Sequence, residues 1–183
     1  GKSTLFYVLM RLLYPLKGNI FIQGKNYDDL AEKSIREHFA VAFQEHHIFN
    51  LSIRDNFKML YENITDEEIY KSLENEYLLD FVNQVGLDYI VGNDGNKLSG
   101  GQKHRLQLAI CLAKQKDIIL LDEPTAGLDI KTTNNICSQL MEKYQKQTMI
   151  VTSHDISLLR FFDDIIICGE EKIIEQGNIK KLL

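Results

Sequence analysis

Three short clusters in this 183-residue chain carry side chains suited to phosphate chemistry. The first is Gly1-Lys2-Ser3-Thr4, which reads as the closing half of the phosphate-binding motif GxxxxGK[ST]. Backbone N–H groups and the dipole at a helix N-terminus attract phosphate oxygens, a lysine reaches the terminal phosphates, and a serine hydroxyl is a magnesium ligand. The second is Ile118-Ile119-Leu120-Leu121-Asp122-Glu123, an apolar run ending in two adjacent carboxylates. A buried strand of this kind delivers Asp122 and Glu123 to the C-terminal edge of a sheet, where open α/β sheets bind their ligands. There Asp122 suits a metal shell, and Glu123, pointing the other way from its neighbour, suits polarising an attacking water. The third is Leu98-Ser99-Gly100-Gly101-Gln102 ahead of a helix, where glycines admit close approach and free N–H groups bind anions. Taken singly, each also has an ordinary reading: a cationic helix start, an acidic turn supported by Pro124 and Gly127, a loop-to-helix junction.

The elements that must position these residues alternate between helix and strand. Leu5–Leu13 is apolar almost throughout and predicts a helix ended by Pro15 and Gly18. Short strands are expected at Asn19–Gln23 and Val41–Phe43, with a helical turn at Ile35–Phe39 between them. From Gln44 to about Lys97 the chain turns polar, with helical stretches at Ile53–Tyr61, Asp66–Leu73 and Leu78–Val85, and Thr65 placed as an N-cap. Helix Gly101–Lys114, strand Ile118–Leu121, helix Ile130–Tyr144 and strand Met149–Thr152 follow. A short helix Ser157–Phe161 and strands Ile165–Cys168 and Lys172–Glu175 complete the chain. This order predicts an α/β fold with a mainly parallel sheet core and an inserted α-helical subdomain. Residues 1–43 and 115–183 form the expected core and 44–114 the helical part.

Composition sets the class. With 44% hydrophobic and 26% charged residues and only 2 Pro, the chain suits a globular protein rather than a disordered or fibrous one. The longest apolar runs, Leu5–Met10 and Leu108–Ala113, are far shorter than the roughly 18 residues of a membrane span. A net charge of -5 gives no basic face for nucleic acid, so no nucleic-acid partner is expected. Cys111, Cys137 and Cys168 lie beside apolar residues without metal spacing, and read as buried thiols in a reducing compartment. The adjacent His46 and His47 point apart on an extended segment with no third ligand, which argues against a metal site.

The set of motifs resembles one family. GKST, Gln44 after a strand, LSGGQ at 98–102, the carboxylate pair Asp122-Glu123 and a following His154 stand in the order seen in ATP-binding cassette (ABC) ATPases, and the resemblance spans essentially the whole chain. It implies a P-loop NTPase-type fold, with the first strands and most of the phosphate loop lying ahead of Gly1, as does the residue that stacks on adenine. It implies ATP and Mg²⁺ as cofactors. Gly1, Lys2, Ser3 and Thr4 would hold phosphates. Ser3, Gln44 and Asp122 would share the metal. Ser99, Gly100, Gly101 and Gln102 would contact the γ-phosphate held by a second cassette, identical or not. Glu123 would be the catalytic carboxylate, with Gln44 and His154 reading the γ-phosphate, and Ala126-Gly127-Leu128-Asp129 would lie across the dimer interface.

The resemblance further implies a transmembrane transporter domain, fused or separate, and a place at the cytoplasmic face of a membrane through that partner. Phe43–Asn56 and Val91–Gly95 are similar to exporter segments, although Asn93 stands where a glutamate is usual and His154 is followed by Asp155 rather than Arg. The expected function is therefore ATP-driven transport, with export favoured. An importer subunit and a soluble non-transport ABC ATPase remain alternatives. Because the phosphate loop is incomplete here, these residues alone are expected to hydrolyse ATP poorly.

Overall fold

The computed structural model describes residues 2–43, 47–114, 116–126, 128, 130–169 and 172–182. They fall into two compact units, 1–39 with 117–183 and 40–116.

The first unit opens on helix α1 (Lys2–Leu9), which buries Phe6 and lies against strand β4 (Ile118–Asp122). This helix ends well before Pro15. Leu12 N–H donates to Tyr7 O at 2.8 Å and Arg11 N–H to Val8 O at 3.1 Å, with Arg11 at φ 56°. That is the left-handed helix terminus usually given to glycine. Arg11 is held in it by an ion pair with Asp28 and by the Tyr14 ring, 4.3 Å away. A second local feature is the hairpin of β1 (Phe21–Ile22) and β2 (Lys25–Asn26). Its two-residue loop, Gln23-Gly24, has both φ values positive, at 49° and 79°, as a type I′ turn requires. A 3-10 helix (Tyr27–Asp29) and α2 (Glu32–Glu37) lead to β3 (Phe39–Ala42), within which the boundary between the units falls.

The sheet has the order β3-β4-β5, with β5 at Thr148–Thr152. Strands β4 and β5 are parallel, from Ile118 opposite Thr148 to Asp122 opposite Thr152, and α7 (Ile130–Lys143) connects them. Ile119, Leu120 and Leu121 are fully buried, which is why this strand is continuously apolar rather than alternating. A 3-10 helix (Ile156–Phe161), N-capped by Asp155, packs on α7. The unit ends in an antiparallel hairpin, β6 (Ile165–Gly169) with β7 (Lys172–Gly177), followed by α8 (Ile179–Leu182). Ile166, Ile167, Ile173 and Ile174 of this hairpin are exposed. Cys168 is exposed there too, whereas Cys111 and Cys137 are buried; the apolar neighbours that suggested a buried third thiol are themselves in solvent.

The second unit is helical: α3 (Ile53–Leu60), α4 (Asp66–Asn75), α5 (Leu79–Val85) and α6 (Gly100–Leu112). Each of α3, α4 and α6 starts on a hydroxyl cap, Ser52, Thr65 and Ser99. Ile53, Phe57, Ile69, Leu73, Val82 and Leu106 form the middle of one apolar core. Polar groups inside it are paired: Ser72 Oγ donates to Ala109 O at 2.7 Å, and Tyr61 Oη to Cys111 O at 3.0 Å. The ion pair of Lys114 with Glu68 joins α4 to the chain beyond α6.

Candidate functional site

The residues singled out in the sequence fall into two sets, one in each unit.

In the first unit, α1 brings Lys2 to the C-terminal ends of β4 and β5. Lys2 Nζ donates to Glu123 Oε1 and to Ser153 O, both at 3.1 Å. The next peptide closes the loop, since His154 N–H donates to Glu123 Oε2 at 3.3 Å. One peptide plane, Ser153–His154, thus accepts from the lysine and donates to the carboxylate that the lysine holds. His154 Nε2 lies 3.5 Å from Glu123 Oε1, with its ring largely in solvent, while the Glu123 side chain is only 12% exposed. Lys2, Glu123 and His154 therefore meet at one point, although 121 residues separate Lys2 from Glu123.

Glu123 gets there by a backbone turn rather than by strand alternation. Its φ is 51°, in the left-handed region that a β-substituted residue adopts at a cost of about 1–3 kcal/mol. Its N–H donates to Thr152 O at 3.0 Å and approaches Thr152 Oγ1 at 3.3 Å, and its carbonyl accepts from Ala126 N–H at 3.1 Å. Such strain at the head of a strand persists only where surrounding contacts determine it, and here they do. Asp122, by contrast, is 4% exposed and accepts a hydrogen bond from the Thr152 hydroxyl. Thr152 and the Ser153 carbonyl were not singled out from the sequence. A hydroxyl closing an apolar strand two positions before a histidine is the signal that was available.

Ser3 and Thr4 lie in the first turn of α1, and Ser3 is partly buried. Gly1 and Gln44, together with Gly127 and Asp129 of the Ala126–Asp129 stretch, lie outside the described residues. The donor set fits Mg²⁺: a serine hydroxyl and one buried carboxylate are hard oxygen ligands, and this ion usually takes one or two carboxylates and completes its shell with phosphate and water. Among the described residues no group of three or more His, Cys, Asp or Glu is placed to hold a metal ion.

In the second unit, Ser99 and Gln102 form a reciprocal capping box at the start of α6. Gln102 N–H donates to Ser99 Oγ at 3.2 Å, and Ser99 N–H to Gln102 Oε1 at 2.9 Å. As the Ser99 hydroxyl acts as acceptor here, its own proton stays available to a ligand. A Cβ placed on Gly100 or Gly101 would meet nothing within 4 Å. The packing of this chain does not require glycine at either position, so the space they leave suits an approaching group from outside. Nearby, Asp94 at φ 49° accepts from Lys103 Nζ at 2.5 Å and from Ile48 N–H at 3.4 Å. The Lys103 ammonium holds the Asp94 carboxyl below its ordinary range.

Comparisons with known proteins bear on this geometry. The family model described as ABC transporter matches residues 1–126. A protein of Agrobacterium vitis named beta-(1-->2)glucan export ATP-binding/permease protein NdvA is 35% identical over 184 residues, covering 100% of this chain and 32% of its own length. An ATP-dependent lipid A-core flippase of Aliivibrio fischeri is 33% identical over 186 residues, again with 100% and 32% covered. Among solved structures, a bacterial Atm1-family ABC exporter with ATP bound superposes with a TM-score of 0.89 at 30% identity over 100% of this chain and 32% of that one. The chain thus spans about a third of the length of the relatives it matches.

Proposed function

The chain belongs to the ABC transporter family, with the mixed α/β fold of its ATP-binding domain, and from that premise we propose that it binds and hydrolyses MgATP to drive export across a membrane. The observation that carries this reading is the meeting of Lys2, Glu123 and His154 at the head of β4 and β5, beside the buried Asp122.

In this proposal the N-terminal turn of α1, with Gly1, Lys2, Ser3 and Thr4, holds the phosphates through N–H groups and the Lys2 ammonium. Lys2 has three N–H donors and, among the described residues, two oxygen partners, which leaves a third donor to point at a phosphate without loss of the others. Ser3 and Asp122, with Gln44, would hold Mg²⁺, which when bound supplies a positive charge that offsets the phosphate oxygens. Glu123 takes a proton from the attacking water as the water oxygen bonds to the γ-phosphorus and the bond to the β–γ bridging oxygen breaks, releasing ADP and phosphate. His154 steadies Glu123 on one side and reads the γ-phosphate on the other. Positioning and fixed charge supply most of the acceleration.

The signature residues Ser99, Gly100, Gly101 and Gln102 would act in a second cassette's site. Support comes from the free Ser99 proton and the open space at both glycines. Residues 44–114 would form the helical subdomain carrying Gln44 and the signature, and 1–43 with 115–183 the nucleotide-binding core. A membrane-spanning domain is the proposed partner and places the chain at the cytoplasmic face of a membrane. The names of the relatives, an export ATP-binding/permease protein and a flippase, support that direction and that partner. No helix among the described residues is long and apolar enough to cross a membrane itself.

Replacing Glu123 with Gln in the intact protein tests the proposal. ATP turnover is expected to fall by roughly 10²–10⁴-fold, the contribution of a general base, with MgATP binding retained. Unchanged turnover would refute the assignment of Glu123.

A further inference from the structure

The geometry points to Thr152 as a positioning residue for the metal-holding carboxylate. The inference rests on the reading of Asp122 given above and extends it to a residue with no role in that reading.

Asp122 ends an apolar strand and is almost fully buried, so its carboxylate oxygens need donors from the protein or a ligand. The parallel register sets Thr152 directly opposite, and its hydroxyl donates to Asp122 Oδ1. The same oxygen lies 3.3 Å from Glu123 N–H, so one hydroxyl donates to the first carboxylate residue and accepts from the second. Thr152 is itself buried at 7% exposure, and a β-branched side chain in a strand has little rotamer freedom. The direction of the hydroxyl is therefore fixed by the sheet. With Oδ1 accepting from Thr152, rotation of the Asp122 carboxylate is restrained, and its other oxygen, without a protein donor among the described residues, is the one that faces a metal. The contact of Glu123 N–H with Thr152 also helps hold the left-handed turn that aims Glu123 at Lys2. A valine would fill the same space and suit the strand equally well, so packing alone does not call for threonine.

Thr152→Val and Thr152→Ser in the intact protein separate this role from a structural one. The probe is Mn²⁺, titrated by electron paramagnetic resonance with a non-hydrolysable ATP analogue bound. Loss of an outer hydrogen bond to a metal ligand typically weakens binding by roughly 10–100-fold. Thr152→Val is expected to weaken Mn²⁺ by that factor, with analogue affinity in chelator unchanged, and Thr152→Ser to bind like wild type. Should the valine variant not fold, Thr152→Cys replaces a strong donor by a weak one at similar volume and must weaken Mn²⁺ in the same direction. Wild-type Mn²⁺ affinity in a folded valine or cysteine variant overturns the inference, as does a serine variant as weak as valine. Absence of a nucleotide-dependent Mn²⁺ site in the wild-type protein would instead overturn the reading of Asp122 on which it depends.

Discussion

Ser99 faces two ways, and the two roles separate by substitution. Its oxygen caps α6 by accepting from Gln102 N–H, while its proton is assigned to a phosphate. Ser99→Ala should lower stability by about 1 kcal/mol, the usual worth of an N-cap, and also reduce ATP turnover. Ser99→Asp keeps a good cap acceptor but puts negative charge where phosphate would approach. We expect it to restore stability, measured by urea unfolding, and to leave turnover low; recovery of both would remove the phosphate role. At this scale, side-chain type and the order of the motifs made Lys2, Ser99, Asp122, Glu123 and His154 candidates in the sequence, and the fold brings Lys2, Glu123 and His154 within reach of one another. Thr152 and the Ser153 carbonyl were not legible, because their parts depend on strand register and on which way one peptide faces. Glu123 shows a subtler gap: alternation along the strand predicts a carboxylate pointing the other way from Asp122, but the chain delivers it by a left-handed turn.

Among the elements, those with local start signals were the readable ones. Thr65 does cap α4, completed by Glu68, and the apolar run 118–121 is the buried middle strand of the three-stranded sheet. The end of α1 carries no glycine: the ion pair of Arg11 with Asp28, which is tertiary, and its contact with Tyr14 stand in for one. Strand β2 went unforeseen because two residues after a type I′ turn leave almost no pattern. A pH dependence belongs here. Hydrogen bonds from Lys114 and from Thr65 N–H hold the Glu68 carboxyl below its ordinary value of 4.5, and Arg54 does the same for Asp88, whose ordinary value is 3.8. The stabilisation is present in full above those ordinary values and is lost as pH falls through the lowered ones. Urea unfolding should therefore show a steeper loss of stability from about pH 5 to pH 3 in wild type than in Lys114→Met. Equal losses would mean that the Lys114–Glu68 pair contributes nothing in solution.

For the molecule as a whole, two units of different character, one sheet-based and one helical, share a single chain with a net charge of -5. The order of motifs made the family legible, whereas surface character was not, because exposure depends on what the folded chain leaves uncovered. The β6–β7 hairpin is the case in point: Ile173 and Ile174, at 60% and 59% exposure, sit on β7, which among the described residues pairs with β6 alone. Isoleucines in water on a strand with one open edge are a template for association. Apolar attraction weakens on cooling and strengthens on warming. A solution of these 183 residues should accordingly turn turbid on gentle heating while the far-ultraviolet signal of its helices is still intact, and clear again, if caught early, on ice. Light scattering followed alongside circular dichroism during a slow ramp checks this, and melting that precedes turbidity would contradict it. In the hands of anyone purifying the chain, temperature is then a solubility control rather than a stability control, and the cold room is the safer bench.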